Sequence, residues 1–130
     1  MAEKVRVALI GGGRTGTPLL KSLMKYPFVD VVGVADKNDK AQSIKIAERK
    51  GIFTTTKPMD LVNHSADTDI LIEVTGDSRL KSRIKSQLKK NGNKHTIIMH
   101  NLVARLLMSV CTGRKSLAPS FHPQDVGVGR

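Results

Sequence analysis

Cysteine occurs once in these 130 residues, tryptophan not at all, and the aromatics amount to one Tyr and three Phe. A single cysteine, Cys111, excludes an internal disulfide. The four histidines, His64, His95, His100 and His122, are too scattered to form a metal site with it, so no metal is expected and each reads as a surface or loop residue. Scarce aromatics leave little to stack on bases, and neither an RNA-binding aromatic motif nor a helix-turn-helix pair is evident. No apolar run reaches the roughly 20 residues that cross a bilayer. The short run after Glu3 ends in glycines and is not a signal peptide. A cytoplasmic chain without a membrane partner is expected. Acidic residues are also unevenly missing. Residues 1–77 hold eleven Lys/Arg against ten Asp/Glu, whereas residues 78–130 hold eleven against Asp125 alone. The net charge of +11 therefore belongs to the second part of the chain.

What is present centres on one stretch. Val5-Arg6-Val7-Ala8-Leu9-Ile10 reads as a buried strand, and it runs straight into glycines spaced G-x-G-x-x-G at Gly11, Gly13 and Gly16. A helical pattern follows at once, with Leu19, Leu20, Leu23 and Met24 on one side. This order of parts suits a dinucleotide. Gly11 turns the chain out of the strand, Gly13 leaves no side chain against a pyrophosphate, and Gly16 lets helix and strand approach closely. The helix start offers free N–H groups and a positive dipole end to phosphates. A glycine motif alone is weak; a glycine motif between strand and helix is not.

In chain order, the first helix is expected over Arg14–Lys25, with Pro18 tolerated in its first turn. Val29–Ala35 is rich in β-branched residues and reads as the second strand. It ends at Asp36, 20 positions beyond Gly16. There a carboxylate accepts hydrogen bonds from ribose hydroxyls and repels a 2′-phosphate, which favours NAD over NADP. Lys37, Asn38 and Arg14 could reach a 2′-phosphate, so NADP stays open; a cap or turn role for Asp36 is the structural alternative. Asp39 reads as the cap of a helix over Lys40–Lys50 that Gly51 ends. A short strand at Ile52–Thr55, a brief helix or turn at Pro58–His64, and a strong strand at Ile70–Val74 ending in Thr75-Gly76-Asp77 come next. A helix over Ser78–Lys90 carries Leu80, Ile84 and Leu88 as its only apolar stripe, with its charges expected on a solvated outer face. Thr96–Met99 is a fifth strand and Leu102–Val110 a final helix; residues 111–130 show no periodicity and read as a linker or disordered tail. Alternating strands and helices predict one α/β domain over residues 1–110. The expected architecture is a doubly wound parallel sheet of about five strands, order 3-2-1-4-5, with helices on both faces. The glycine loop, Asp36 and Thr75-Gly76 would meet at the C-terminal strand ends.

Ala8–Gly16 together with Asp69–Gly76 resembles the amino-terminal domain of a dehydrogenase group that includes homoserine dehydrogenases, dihydrodipicolinate reductases and glucose–fructose-type oxidoreductases. The likeness covers about residues 4–105. It implies a Rossmann-type fold in which Gly11, Gly13 and Gly16 hold the pyrophosphate and Arg14 and Thr15 line it. Asp36 would meet the adenosine ribose, and Thr75 and Gly76 would lie near the nicotinamide ribose. The chain also departs from the group. Met99-His100-Asn101 stands where those enzymes carry a Glu-Lys-Pro or Ala-Asn-Lys, so their lysine is missing, and the remaining residues are expected to be too few to form their substrate domain. His100 is the sole candidate acid or base.

Two classes of function stay open. One is the NAD(P)-binding half of an oxidoreductase, inactive as an isolated chain, with its catalytic half on a protein partner or a domain fused after residue 110. The other is a module that reports dinucleotide state to a signalling domain, which the missing lysine favours. A basic nucleic-acid binder is the weaker third reading. A homo-oligomer is compatible with all three.

Overall fold

A computed structural model of the chain describes residues 3–64 and 66–120. Its elements are β1 (Val5–Ile10), α1 (Gly16–Leu23), β2 (Val29–Ala35), α2 (Gln42–Arg49) and β3 (Phe53–Thr55). They continue as α3 (Pro58–His64), β4 (Ile70–Glu73), α4 (Ser78–Lys90), β5 (Ile97–Met99) and α5 (Asn101–Cys111). All strand pairings are parallel, and the sheet order is β3-β2-β1-β4-β5.

The central place of β1 explains its composition. Val7 to Ile10 are buried, because β2 and β4 flank the strand and helices cover both sheet faces. Alternate residues of a strand face opposite sides, and here both sides are core. Val7 and Leu9 join Ile72 and meet Leu19 and Leu20 of α1, Ile44 and Ala47 of α2, and Ala104 and Met108 of α5. Ala8 and Ile10 join Leu71 and meet Leu61 and Val62 of α3 and Leu80, Ile84 and Leu88 of α4. Two-sided burial is why these strands read as continuous apolar runs.

Several details differ from the sequence reading. The first helix begins at Gly16 rather than Arg14, because residues 11–15 form the loop itself. Asp39 does not cap α2, whose N-cap is Ala41 without a side-chain bond; Asn38 Oδ1 takes the Lys40 N–H instead. Asp77 caps α4, its Oδ1 accepting the N–H groups of Arg79 and Leu80 at 3.0 and 3.3 Å. Residues 112–120 form no helix or strand, yet Ala118 is buried, donates its N–H to Ser109 Oγ, and accepts Arg105 Nε–H at its carbonyl. Packing against α5 thus reaches past residue 110; residues 121–130 and His122 lie outside the described residues. No helix among the described residues is long and apolar enough to cross a membrane.

Candidate functional site

The crevice of an open parallel sheet lies beyond the C-terminal strand ends, where the strand order reverses. Here that point falls between β1 and β4, and the loop after β1 is built to expose backbone there. Gly11 takes φ +94°, a conformation that side-chain-bearing residues rarely adopt. Its N–H donates to Ala35 O at 2.8 Å, which ties the loop to the end of β2. A Cβ at Gly16 would stand 2.6 Å from Gly11 O, so the helix start is pressed directly onto the strand end. A Cβ at Gly13 would meet nothing within 4 Å. The packing of the fold therefore does not itself require a glycine at position 13.

Asp36 closes one side. Its Oδ2 accepts the Gly12 N–H at 2.7 Å and its Oδ1 the Asn38 N–H at 2.9 Å. Each oxygen keeps acceptor capacity for a further donor. Thr75 closes the other side: a Cβ on Gly11 would lie 3.1 Å from Thr75 Cγ2. Gly76 has φ +80° and makes the turn from β4 into α4. The glycine loop, Asp36 and Thr75–Gly76 are thus brought together. Arg14 is exposed, whereas Thr15 is buried at the α1 N-cap without a side-chain cap bond.

Beneath Thr75 lies a buried polar group that the sequence pattern gives no hint of. Glu73 is 0% exposed, and its Oε1 accepts both the N–H and the Oγ–H of Thr75. Its Oε2 has no hydrogen-bond partner and sits 3.9 Å from His100 Nδ1, which also has none. Lys81 of α4 is 1% exposed and lies in the field of Glu73. Burial pushes the Lys81 ammonium below its ordinary pKa, and the Glu73 charge opposes that shift. Burial, and then the charges of Lys81 and Lys85, hold the His100 imidazole below its ordinary value. His100 is a half-buried histidine beside the β4 turn, not the surface residue its sequence context suggests. Lys81 likewise departs from the expected solvated face. At about 100° per residue, Leu80, Ile84 and Leu88 span an arc that Lys81 borders on the Leu88 side, so a helical wheel held that signal.

A second residue pair escaped the sequence reading. Ser43 of α2 is fully buried with its Oγ unpartnered, and a Cβ on Gly12 would come within 2.5 Å of Ser43 Cβ and closer still to Oγ. Gly12, the variable middle position of the motif, is required by packing against α2. A hollow of about 880 Å³ lies elsewhere: Arg6, Asp67, Asp69 and His95 line it at the N-terminal strand ends.

Sheet order, glycine loop and acidic end of β2 define a Rossmann-type doubly wound α/β domain. No protein-family model matches the chain. Acetaldehyde dehydrogenase 1 of Metapseudomonas furukawaii is 24% identical over 129 residues, covering 98% of this chain and 41% of that protein. Acetaldehyde dehydrogenase 3 of Burkholderia lata is 37% identical over 60 residues, 46% of this chain and 20% of that protein. The chain thus spans 41% or less of the length of these curated relatives. Among solved structures, the WlbA dehydrogenase from Chromobacterium violaceum in complex with NADH and UDP-GlcNAcA superposes with a TM-score of 0.60 at 22% identity, over 87% of this chain and 33% of that one. Homoserine dehydrogenase of S. aureus gives 0.58 at 19%, over 87% and 30%. At such identities these structures establish the fold.

Proposed function

We propose that this chain is the dinucleotide-binding domain of an oxidoreductase-type system, holding NAD(H) across the C-terminal ends of β1 and β4. The observation that carries the reading is the Asp36–Gly12 hydrogen bond beside an unobstructed Gly13. One carboxylate anchors the phosphate loop and faces the place of the adenosine ribose. In this arrangement Gly11, Gly13 and Gly16 hold the pyrophosphate, with the Thr15 backbone and Arg14 at its side. Thr75 and Gly76 lie at the nicotinamide end. NAD is favoured over NADP because a 2′-phosphate would meet the Asp36 charge. Relatives support the cofactor class: the WlbA structure contains NADH and that of GenD2 from gentamicin A biosynthesis contains NAD. Substrate chemistry belongs to a partner protein or fused domain, in a cytoplasmic setting. Calorimetric titration tests this reading: NAD binds, NADP binds more weakly, and tighter binding of NADP would overturn the assignment.

A second reading, a module that senses dinucleotide state for another domain, is favoured by residues 99–101. No lysine stands there, and the half-buried His100 beside Glu73 has its pKa lowered by burial and by the charges of Lys81 and Lys85. The two readings part on turnover. NADH with a panel of semialdehydes, keto acids and sugars should leave the absorbance at 340 nm unchanged for the 130-residue chain. Oxidation that disappears in His100→Ala would make His100 catalytic and sink the sensing alternative.

A further inference from the structure

Two hollows of the domain differ in chemistry. The one at the N-terminal strand ends carries both signs, and four of its charged or titratable groups are paired with one another. Arg6 faces Asp67 at 4.0 Å, the Arg6 N–H donates to Asp69 Oδ2 at 2.8 Å, and His95 holds the other Asp69 oxygen. The second hollow, about 540 Å³, runs between the C-terminal half of α4 and the outer side of β5. Leu88 and Ile98 form its apolar floor; Lys85, Lys89, Lys94 and His100 supply its polar groups. No carboxylate lines it, and none of the three lysines forms an ion pair among the described residues.

Lysines on an exposed helix face ordinarily serve solubility. These converge instead on a concave, apolar-floored space of the size that small-molecule sites have. Uncompensated like charges around such a space repel one another until an anion enters. We propose that this groove binds an organic phosphate, its dianionic head against Lys85 and Lys89 and its apolar body on Leu88 and Ile98. The site is separate from the glycine loop and does not depend on the dinucleotide reading.

His100 reports occupancy. It faces Glu73 from β4 and Lys81 and Lys85 from α4. An anion against Lys85 cancels part of the field that opposes its protonation, so its proton affinity rises.

The test uses phenyl phosphate as probe, followed by NMR of histidine-labelled protein at constant ionic strength. It is run in the wild type and in Gly13→Val, which blocks phosphate at the glycine loop. Saturable binding several-fold tighter than that of inorganic phosphate is expected in both, with roughly a tenfold gain in His100 proton affinity. Lys85→Glu/Lys89→Glu should abolish the response, while Lys45→Glu/Lys50→Glu, with the same change of net charge, should retain it. Equal binding of inorganic phosphate, equal loss in the two double variants, disappearance in Gly13→Val, or an unmoved His100 would each overturn the proposal. So would binding of a glutamate-rich peptide to this groove without binding of phenyl phosphate, since the ligand would then be a protein.

Discussion

Asp36 Oδ2 accepts the backbone N–H of Gly12 at 2.7 Å, joining the end of β2 to the glycine loop across 24 positions of sequence. With the proposed role toward the ribose, Asp36 would have two tasks that substitutions can separate. Asp36→Ala loses the loop anchor and the ribose acceptor together, and hydrogen bonds to charged groups contribute about 1.5–3 kcal/mol. NAD affinity should fall by about 10–100-fold, and the gap to NADP should narrow. Asp36→Asn keeps an acceptor for Gly12 and should hold thermal stability near the wild type while still losing discrimination against NADP. Calorimetry and thermal melts on the two variants check this; an Asp36→Asn that keeps full discrimination would show that charge is not what selects the cofactor.

Gly13 and Gly16 belong to one motif but should fail differently. A Cβ at Gly13 would meet nothing within 4 Å, so Gly13→Val should fold normally and bind no dinucleotide. At Gly16 a Cβ stands 2.6 Å from the backbone oxygen of Gly11. Gly16→Ala should therefore lose stability by about 1–3 kcal/mol, the ordinary cost of overpacking. Melting curves separate the two, and a Gly13→Val as unstable as Gly16→Ala would refute the distinction.

Gly12 should couple to Ser43. Gly12→Ala drives a Cβ into both Ser43 Oγ and Ser43 Cβ, the latter at 2.5 Å. A destabilisation of about 1–3 kcal/mol is expected. Ser43→Ala removes the hydroxyl alone and should rescue little; Ser43→Gly removes both atoms and should rescue most of it. Additive effects of Gly12→Ala and Ser43→Gly in denaturant titrations would mean that α2 shifts away instead.

His100 should make the domain less stable in mild acid. Its pKa is lowered on folding, so between that value and the ordinary 6.5 the unfolded chain binds more protons than the folded one. Stability then rises with pH through that window and levels off above it. Denaturant titrations from about pH 5 to pH 8 should show this slope, and His100→Gln should flatten it. An unchanged slope in His100→Gln would assign the effect to other groups.

The architecture was legible because each of its signals is local. The apolar runs of β1, β2 and β4 reflect burial on both faces, and the glycines and Asp36 mark turns whose backbone needs are written in residue type. The seam of Leu80, Ile84 and Leu88 follows from helical period alone. Glu73, Ser43 and the half-buried His100 were not legible, and Lys81 was legible only as a border position of the apolar arc of α4. Their roles depend on neighbours from other elements: Thr75 and His100 for Glu73, and the Gly12 backbone for Ser43. A glutamate at the end of a strand and a lysine in a basic helix read as solvent-facing by residue type. The sequence by itself determined strand order, the course of the glycine loop and the place of Asp36, because these follow from periodicity and backbone permissiveness. Tertiary structure alone decided which polar side chains are taken out of water, because burial is set by what packs on a residue from elsewhere in the chain.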